Sequence, residues 1–260
     1  MKLSIITVTY NNAQSLVGFI ESVLTNAPLD SELVIVDSSS TDETVDMLKK
    51  FGQKIVLILS SENIGFGKGS NLGFQRSTGE FVMFLNPDTK VSKTALADLL
   101  LFIENHPEVG IVAPALIQKD GNIQPSVRRL PTLWGAIQEY YLGIKRSYEA
   151  YVPENNRPQE VESVVGAGMM MRRETFAKLG GFSSKFFMYY EDLELCLRVR
   201  KLGLKVYYLP EVKIEHEVGG SFSEQKLQWL RESATMYHGA LSFALISLLL
   251  RLRKIAWWVK

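Results

Sequence analysis

Cysteine is almost absent: the chain of 260 residues holds one, Cys196. One thiol excludes an intrachain disulfide and a cysteine-built zinc site, and it fits a reducing compartment. Its setting, Leu193-Glu194-Leu195-Cys196-Leu197, is helical and apolar, so the side chain reads as packing rather than as a nucleophile. A dominant charge is missing too, since 29 Lys and Arg face 28 Asp and Glu. That balance leaves no broad electrostatic footprint for nucleic acid. After the first strand-like run, Leu3–Thr9, no glycine occurs before Gly18. The Gly-x-Gly-x-x-Gly fingerprint belongs at that place, so the pattern argues against an NAD enzyme. Gly65-Phe66-Gly67-Lys68-Gly69-Ser70 lacks the spacer and the Gly-Lys-Ser/Thr ending of a Walker loop; its glycines fit close backbone approach, with Asn63 and Asn71 as polar contacts. Met1-Lys2 leads into a β-branched run with no small-residue cleavage site before Asn11-Asn12, which reads as a buried first strand, not a secretory leader.

A long apolar run is missing as well. Ala240–Leu250 is strongly apolar but shorter than the ~20 residues a spanning helix needs. Arg251, Arg253 and Lys254 then interrupt before Trp257-Trp258. Cations with paired tryptophans suit an interfacial helix at the lipid headgroups, which makes 239–260 an expected amphipathic, membrane-associating segment. The alternative is a terminal helix packed on the domain or on another subunit.

What is present is a regular alternation. Leu3–Thr9, Glu32–Asp37, Ile55–Leu59 and Phe81–Leu85 are strand-like, with helical patterns over Gln14–Thr25, Asp42–Phe51 and Gly67–Ser77. Continuous Val/Ile/Leu strands separated by helices predict a Rossmann-like α/β fold, with a mostly parallel sheet covered by helices on both faces. Ser92–Asn105 reads as a further helix. Beyond it the pattern becomes mixed: a hairpin turn at Lys119–Asn122, an irregular insertion over 127–160, strand character over Val161–Arg172, a helix over Glu191–Leu202, a strand over Lys205–Leu209 and a long helix from Glu224. The chain is long enough to bury a full core, and reads as a nucleotide-binding half, 1–105, continuous with a mixed half, 106–238.

In an open parallel sheet, ligands sit beyond the carboxyl ends of the strands. The segments there are Tyr10-Asn11-Asn12, Asp37-Ser38-Ser39-Ser40, Glu62-Asn63-Ile64-Gly65-Phe66-Gly67 and Asn86-Pro87-Asp88. Tyr10 offers a face for base stacking, and Asp37 or Ser38 an acceptor for an imide N–H or a ribose hydroxyl. Strand ends are polar in any protein, but four such ends together favour a ligand. Asp88 is a candidate ligand for Mg²⁺ or Mn²⁺, which take one or two protein carboxylates plus phosphate oxygens; equally, Asn-Pro-Asp-Thr is an ordinary turn. Glu191 and Asp192 open a helix, where acids are favoured electrostatically. One of them could also deprotonate an acceptor hydroxyl, while the other orients. The preceding strip Phe186-Phe187-Met188-Tyr189-Tyr190 could dry the cleft and raise the base's proton affinity. His216 alternates with Glu215 and Glu217 in a strand-like run, and an imidazole suits a Mn²⁺-type site.

These segments, in this order, resemble the family-2 glycosyltransferases of the GT-A fold, especially bacterial rhamnosyltransferase-like members. The resemblance runs through Thr7–Asn12, Val36–Asp42, Asn63–Phe66 with Gly69-Ser70-Asn71, Leu85–Thr89, Gly166–Met169, Gly180–Phe182, Tyr190-Glu191-Asp192, Cys196-Leu197-Arg198 and His216 with Gly219-Gly220-Ser221. It covers roughly residues 1–238. It implies an inverting, metal-dependent transfer of a sugar from a nucleotide-diphosphate donor, with dTDP-rhamnose the favoured donor. It places Thr9, Tyr10, Asn11, Asp37, Ser38, Asn63, Gly65, Gly69, Asn71, Asn86 and Asp88 around the nucleotide sugar. Asp88 and His216 are then the metal ligands, Asp192 the base and Glu191 its neighbour. The implied acceptor is a cell-surface glycan on a lipid carrier, which suits a cytoplasmic protein peripheral on the inner membrane.

Three departures qualify the match. The acidic motif is Asn-Pro-Asp, so its first acid is missing. Ser38 stands where an acid or asparagine is common. Gln225-Lys226-Leu227-Gln228-Trp229 lacks the arginine of processive synthases, which argues against processive synthesis. Arg128-Arg129 could pair with phosphate on donor or acceptor, or be solvated. Other readings are a nucleotide-sugar binding module without turnover and a sugar nucleotidyltransferase; the latter is disfavoured by the missing N-terminal glycine-rich basic loop.

Overall fold

The computed structural model describes residues 1–217 and 223–252. Gly219-Gly220-Ser221 and the cationic, tryptophan-bearing end from Arg253 onward lie outside the described residues.

The first half folds as its periodicities direct. β1 (Leu3–Thr9), α1 (Ala13–Asn26), β2 (Ser31–Asp37), α2 (Thr44–Lys49), β3 (Val56–Leu59), α3 (Gly65–Arg76) and β4 (Phe81–Leu85) alternate along the chain. β1 pairs in parallel with β2 on one side and β4 on the other, and β2 pairs in parallel with β3. The strands are apolar on both faces, and their period of two divides them between two cores. Leu3, Ile5 and Met83 join Leu16, Phe19 and Ile20 of α1 on one face. Ile6, Val34 and Phe84 join Phe176, Phe182 and Cys196 on the other. The i, i+3, i+4, i+7 spacing of Leu16, Phe19, Ile20 and Val23 fixes which side of α1 is buried.

The second half completes and closes the sheet. It contains β5 (Thr89–Val91), α4 (Ala95–Asn105), β6 (Val109–Ile117), β7 (Val127–Arg128), α5 (Leu133–Tyr140), β8 (Gln159–Val161), β9 (Ser163–Val164), β10 (Gly168–Arg172), α6 (Arg173–Lys178), α7 (Glu191–Lys201), β11 (Lys205–His216), α8 (Glu224–His238) and α9 (Ala240–Leu252). The main sheet runs β3-β2-β1-β4-β10-β6-β11-β5, with β8 also on β11. β10 is antiparallel to both β4 and β6, β11 is parallel to β6, and β5 is antiparallel to β11. The sheet is thus parallel in the first half and mixed in the second, with helices on both faces.

Several expectations change in detail. The strand expected over Lys205–Leu209 runs on to His216, after a register shift against β6 between Leu209 and Lys213. Pro210 lies in that shift and has no N–H to give the ladder. The 127–160 insertion is not wholly irregular: Thr132 caps α5 by accepting the Gly135 N–H at 2.9 Å. The helix expected to start at Ser92 starts at Ala95, after β5. The strand character over Val161–Arg172 breaks into separate strands around the turn 165–167. The long helix after Glu224 breaks at Gly239, whose φ is +78°. α9 then turns Ile246 and Leu250 onto Ala136, Tyr140 and Tyr148, while Leu241, Leu245 and Leu248 remain exposed. Among the described residues, no helix is long and apolar enough to cross a membrane.

Candidate active site

Parallel strands end on one side of the sheet, so the turns following β1, β2 and β3 become neighbours. Ser38 N–H donates to the Thr9 carbonyl at 2.8 Å, and Ser60 N–H to the Asp37 carbonyl at 2.9 Å. Side chains then lock these turns together. Asn11, at φ +53°, donates its N–H to Ser40 Oγ at 2.9 Å and accepts the Thr41 N–H on Oδ1 at 2.8 Å. Asp37 is buried and accepts the Ser40 N–H at 3.0 Å. Ser38 donates to Asn63 Oδ1 at 3.2 Å and accepts the Ile64 N–H at 2.9 Å. The buried Thr9 hydroxyl donates to Asn12 at 3.2 Å, and the Tyr10 ring is exposed on the same rim. Thr9, Tyr10, Asn11, Asp37, Ser38 and Asn63 therefore form one cluster. It is held open by polar side chains bonded to backbone, the arrangement that preorganises a loop for a ligand.

Gly65 ties this cluster to the second half. Its φ is +74°, and a Cβ there would fall on the Phe187 carbonyl. Phe66 N–H donates to that carbonyl at 3.1 Å. Only glycine permits both the left-handed turn and so close an approach. Gly69 and Asn71 make other contacts. Gly69 packs on Val8, and Asn71 holds Phe182, accepting its N–H and donating to its carbonyl, both at 2.8 Å.

Beyond β4 the acidic turn meets the end of β11. His216 Nε2 is 3.4 Å from Asp88 Oδ1 and 3.5 Å from Asn86 Nδ2. Gln124 donates its Nε2 to the His216 carbonyl at 2.6 Å, which leaves its Oε1 facing His216 Nδ1 at 2.8 Å. Nδ1 then carries a proton, and in the neutral imidazole the Nε2 lone pair faces Asp88. Asp88 Oδ1 is buried with no hydrogen-bond partner. Two electron-pair donors facing one another across that gap fit a hard or borderline cation. Gln124 is the outer-shell group that such a histidine needs. No group of three or more His, Cys, Asp or Glu residues capable of holding a metal occurs among the described residues. Asp88 and His216 would therefore need ligand oxygens to complete a shell.

The carboxylate pair opens α7 after two tyrosines with left-handed backbones, Tyr189 at φ +70° and Tyr190 at φ +67°. Neighbours pin this strained entry. Met188 O accepts from Ser233 at 2.8 Å, Phe187 packs on Trp229 and Tyr190 on Tyr237. Asp192 accepts the Gly166 N–H at 2.9 Å and its own neighbour's, Leu193, at 2.7 Å. Burial nevertheless pushes its carboxyl pKa upward, the direction useful to a base. Glu191 is more deeply buried, and its Oε2 has no partner. Desolvation, and then the neighbouring Asp192 charge, hold its pKa well above 4.5. Burial pushes the Cys196 thiol up to about 12, consistent with packing rather than nucleophilic chemistry.

The turn 165–167 joins the two acidic sites. Ala167 O accepts the Asn86 N–H at 3.1 Å, and Gly166 N–H reaches Asp192 at 2.9 Å. His216, Asp88, Asn86, the turn and Asp192 thus form a continuous chain of neighbours. Sequence reasoning missed Gln124, and it could not assign Gly166 as the donor to Asp192.

The profile described as "Glycosyl transferase family 2" matches residues 4–180. The chain belongs to glycosyl transferase family 2. A second profile, "N-terminal domain of galactosyltransferase", matches residues 146–221, which include Glu191, Asp192 and His216. An "N-acetylglucosaminyl-diphospho-decaprenol L-rhamnosyltransferase" of Mycobacterium tuberculosis is 27% identical over 82% of this chain and 75% of its own length. "Rhamnosyltransferase WbbL" of Escherichia coli is 24% identical over 84% of this chain and 87% of its own. Among solved structures, GalNAc-T7 with UDP, GalNAc and Mn²⁺ superposes with a TM-score of 0.67 at 16% identity, covering 89% of this chain and 47% of that one. The fold is GT-A, the chain is a glycosyltransferase, and its relatives include rhamnosyltransferases.

Proposed function

We propose that this glycosyltransferase carries out a cation-assisted, inverting transfer of a deoxyhexose, rhamnose from dTDP-rhamnose, to a lipid-linked glycan. The observation that carries this reading is the chain of neighbours from the Asp88–His216 gap through Asn86 and the 165–167 turn to Asp192. It sets a cation-seeking pair beside a carboxylate of raised proton affinity. The named activities of the mycobacterial and E. coli relatives support rhamnose as the sugar, and the diphospho-decaprenol in the former's name supports the acceptor.

The clustered turns after β1, β2 and β3 would hold the nucleotide, with Tyr10 stacking on the base. Asp88 and His216 would hold a divalent ion, Mg²⁺ or Mn²⁺, which when bound neutralises charge on the departing diphosphate. Asp192 takes the proton of the acceptor hydroxyl. That oxygen bonds to the anomeric carbon as the bond from the same carbon to the diphosphate breaks, so the configuration inverts and a nucleoside diphosphate leaves. The two backbone N–H groups on Asp192 fix its orientation while burial keeps it a competent base. A lipid-borne acceptor would place the protein at a membrane surface, on its cytoplasmic face, with the exposed leucines of α9 available to the headgroup region.

The test is transfer from dTDP-rhamnose to an isoprenoid-diphosphate N-acetylglucosamine, with Mn²⁺ or with a chelator, followed by NMR of the new anomeric centre. The expected result is cation-dependent transfer with inversion. Donor-induced thermal stabilisation without transfer would reduce the chain to a binding module, and pyrophosphate release from a nucleoside triphosphate would make it a nucleotidyltransferase.

A further inference from the structure

A cavity of about 190 Å³ lies against Asp192, between the 127–150 insertion and the C-terminal helices. Asp37, Asp88 and His216 do not line it. Its walls are of four kinds, of which Glu191 and Asp192 supply the acidic one. Arg128 supplies a cation, Tyr140, Tyr148 and Tyr190 supply aromatic faces, and Leu230 and Leu250 supply an apolar side.

Arg128 is the informative residue. Its guanidinium makes no hydrogen bond or ion pair among the described residues, although its backbone carbonyl accepts from Ser163 at 2.8 Å. Its charge is nonetheless felt inside the cavity: burial raises the proton affinities of Asp192, Tyr140, Tyr148 and Tyr190, and the guanidinium offsets part of that rise. A planar five-donor cation beside aromatic rings, with its donors unspent, is suited to a phosphate or diphosphate. The Leu250 wall belongs to α9, whose other face carries the exposed Leu241, Leu245 and Leu248. Trp134 and Leu142, on the segment packed against α9, are exposed as well. One ligand class satisfies an unpaired cation, aromatic walls and an apolar exit together. It is a glycan joined through a diphosphate to a long hydrocarbon chain.

Resting on the glycosyltransferase reading above, we propose that Arg128 binds the diphosphate of the acceptor and makes the enzyme select diphosphate-linked over simple glycosides. The sugar then lies toward Asp192, and the hydrocarbon leaves past Leu250 along α9. The roles of Asp192 and of the donor cluster are unchanged by this assignment, so it can fail while the parent reading stands.

The experiment compares two acceptors carrying the same sugar, an isoprenoid diphosphate and an alkyl glycoside without phosphate. Both are assayed with the unaltered protein, Arg128→Ala and Arg128→Lys, and melting temperatures are recorded to show that each variant is folded. The expected result is that Arg128→Ala raises KM for the diphosphate acceptor by roughly 10- to 100-fold, the size of a lost charged hydrogen bond. The effect on kcat should be much smaller, the preference between acceptors should collapse, and Arg128→Lys should fall between. Equal losses with both acceptors would mean a structural role and overturn the proposal. A raised donor KM with the acceptor preference intact would assign Arg128 to the donor diphosphate and also overturn it. Absence of transfer by the unaltered protein, to either acceptor and from any nucleotide sugar, would remove the parent reading and this one with it.

Discussion

The turns after β1, β2 and β3 and the wall around Asp192 achieve order in opposite ways. In the former, Asn11, Asp37, Ser38 and Asn63 spend their polar atoms on nearby backbone and on one another. In the latter, Glu191 Oε2 and the Arg128 guanidinium have no partner among the described residues, and aromatic packing against α8 provides the rigidity. The lesson is that adjacent turns can be preorganised by hydrogen bonds among themselves, whereas unspent polar groups need rigid walls from elsewhere in the fold.

The comparison breaks most strongly at the carboxylate. Asp192→Asn should lower kcat by about 10²- to 10⁴-fold, the usual worth of a general base. Donor-induced thermal stabilisation should persist, because the donor cluster lies elsewhere. A parallel loss of both would show that the two regions are one unit. Gly65 sits where the regions meet, and Gly65→Ala should destabilise the fold by about 2–4 kcal/mol, from left-handed strain plus overpacking on Phe187. Gly52, at φ +52° with nothing within 4 Å of an added Cβ, is the control. Gly52→Ala should cost only the backbone strain, about 1–2 kcal/mol. Urea denaturation of both variants separates the contributions.

Gln124→Ala releases the tautomer of His216 and should weaken Mn²⁺ binding by about 10- to 100-fold, read by titration calorimetry in the presence of a nucleoside diphosphate. Unchanged affinity would remove His216 from the cation site. The smallest effect concerns Glu191. Its folded pKa is raised above 4.5, chiefly by desolvation. Below that value both folded and unfolded states hold the proton, and the group is neutral to stability. As pH rises through it, the unfolded chain releases the proton while the folded chain resists, so stability from this group falls. Glu191→Gln should therefore gain relative to the unaltered protein as pH rises from acidic to neutral. A flat difference in melting temperature across that range would refute the buried, protonated state.

Legibility followed the range of the interactions. Leu3–Thr9 and Phe81–Leu85 were read to the residue because β-branched and aromatic runs bounded by polar turns carry their own signal. α5 was lost inside the insertion although Thr132 is a good cap, because Pro131, Gly135 and the turn residues around it masked the helical spacing. β11 was cut short at Pro210, since a proline ordinarily demotes a strand, and only the register shift against β6 carries it on to His216.

The residues themselves determined the alternation of strands and helices, the polar turns at the strand ends and the choice of Asp88, Asp192 and His216 as candidates, because period, capping chemistry and motif order are written locally. Tertiary structure alone decided that Gln124 orients His216, that Gly166 holds Asp192, that Asn71 serves Phe182 and that Arg128 faces a cavity closed by α8 and α9. Partners so far apart in the chain become neighbours only through sheet order and packing.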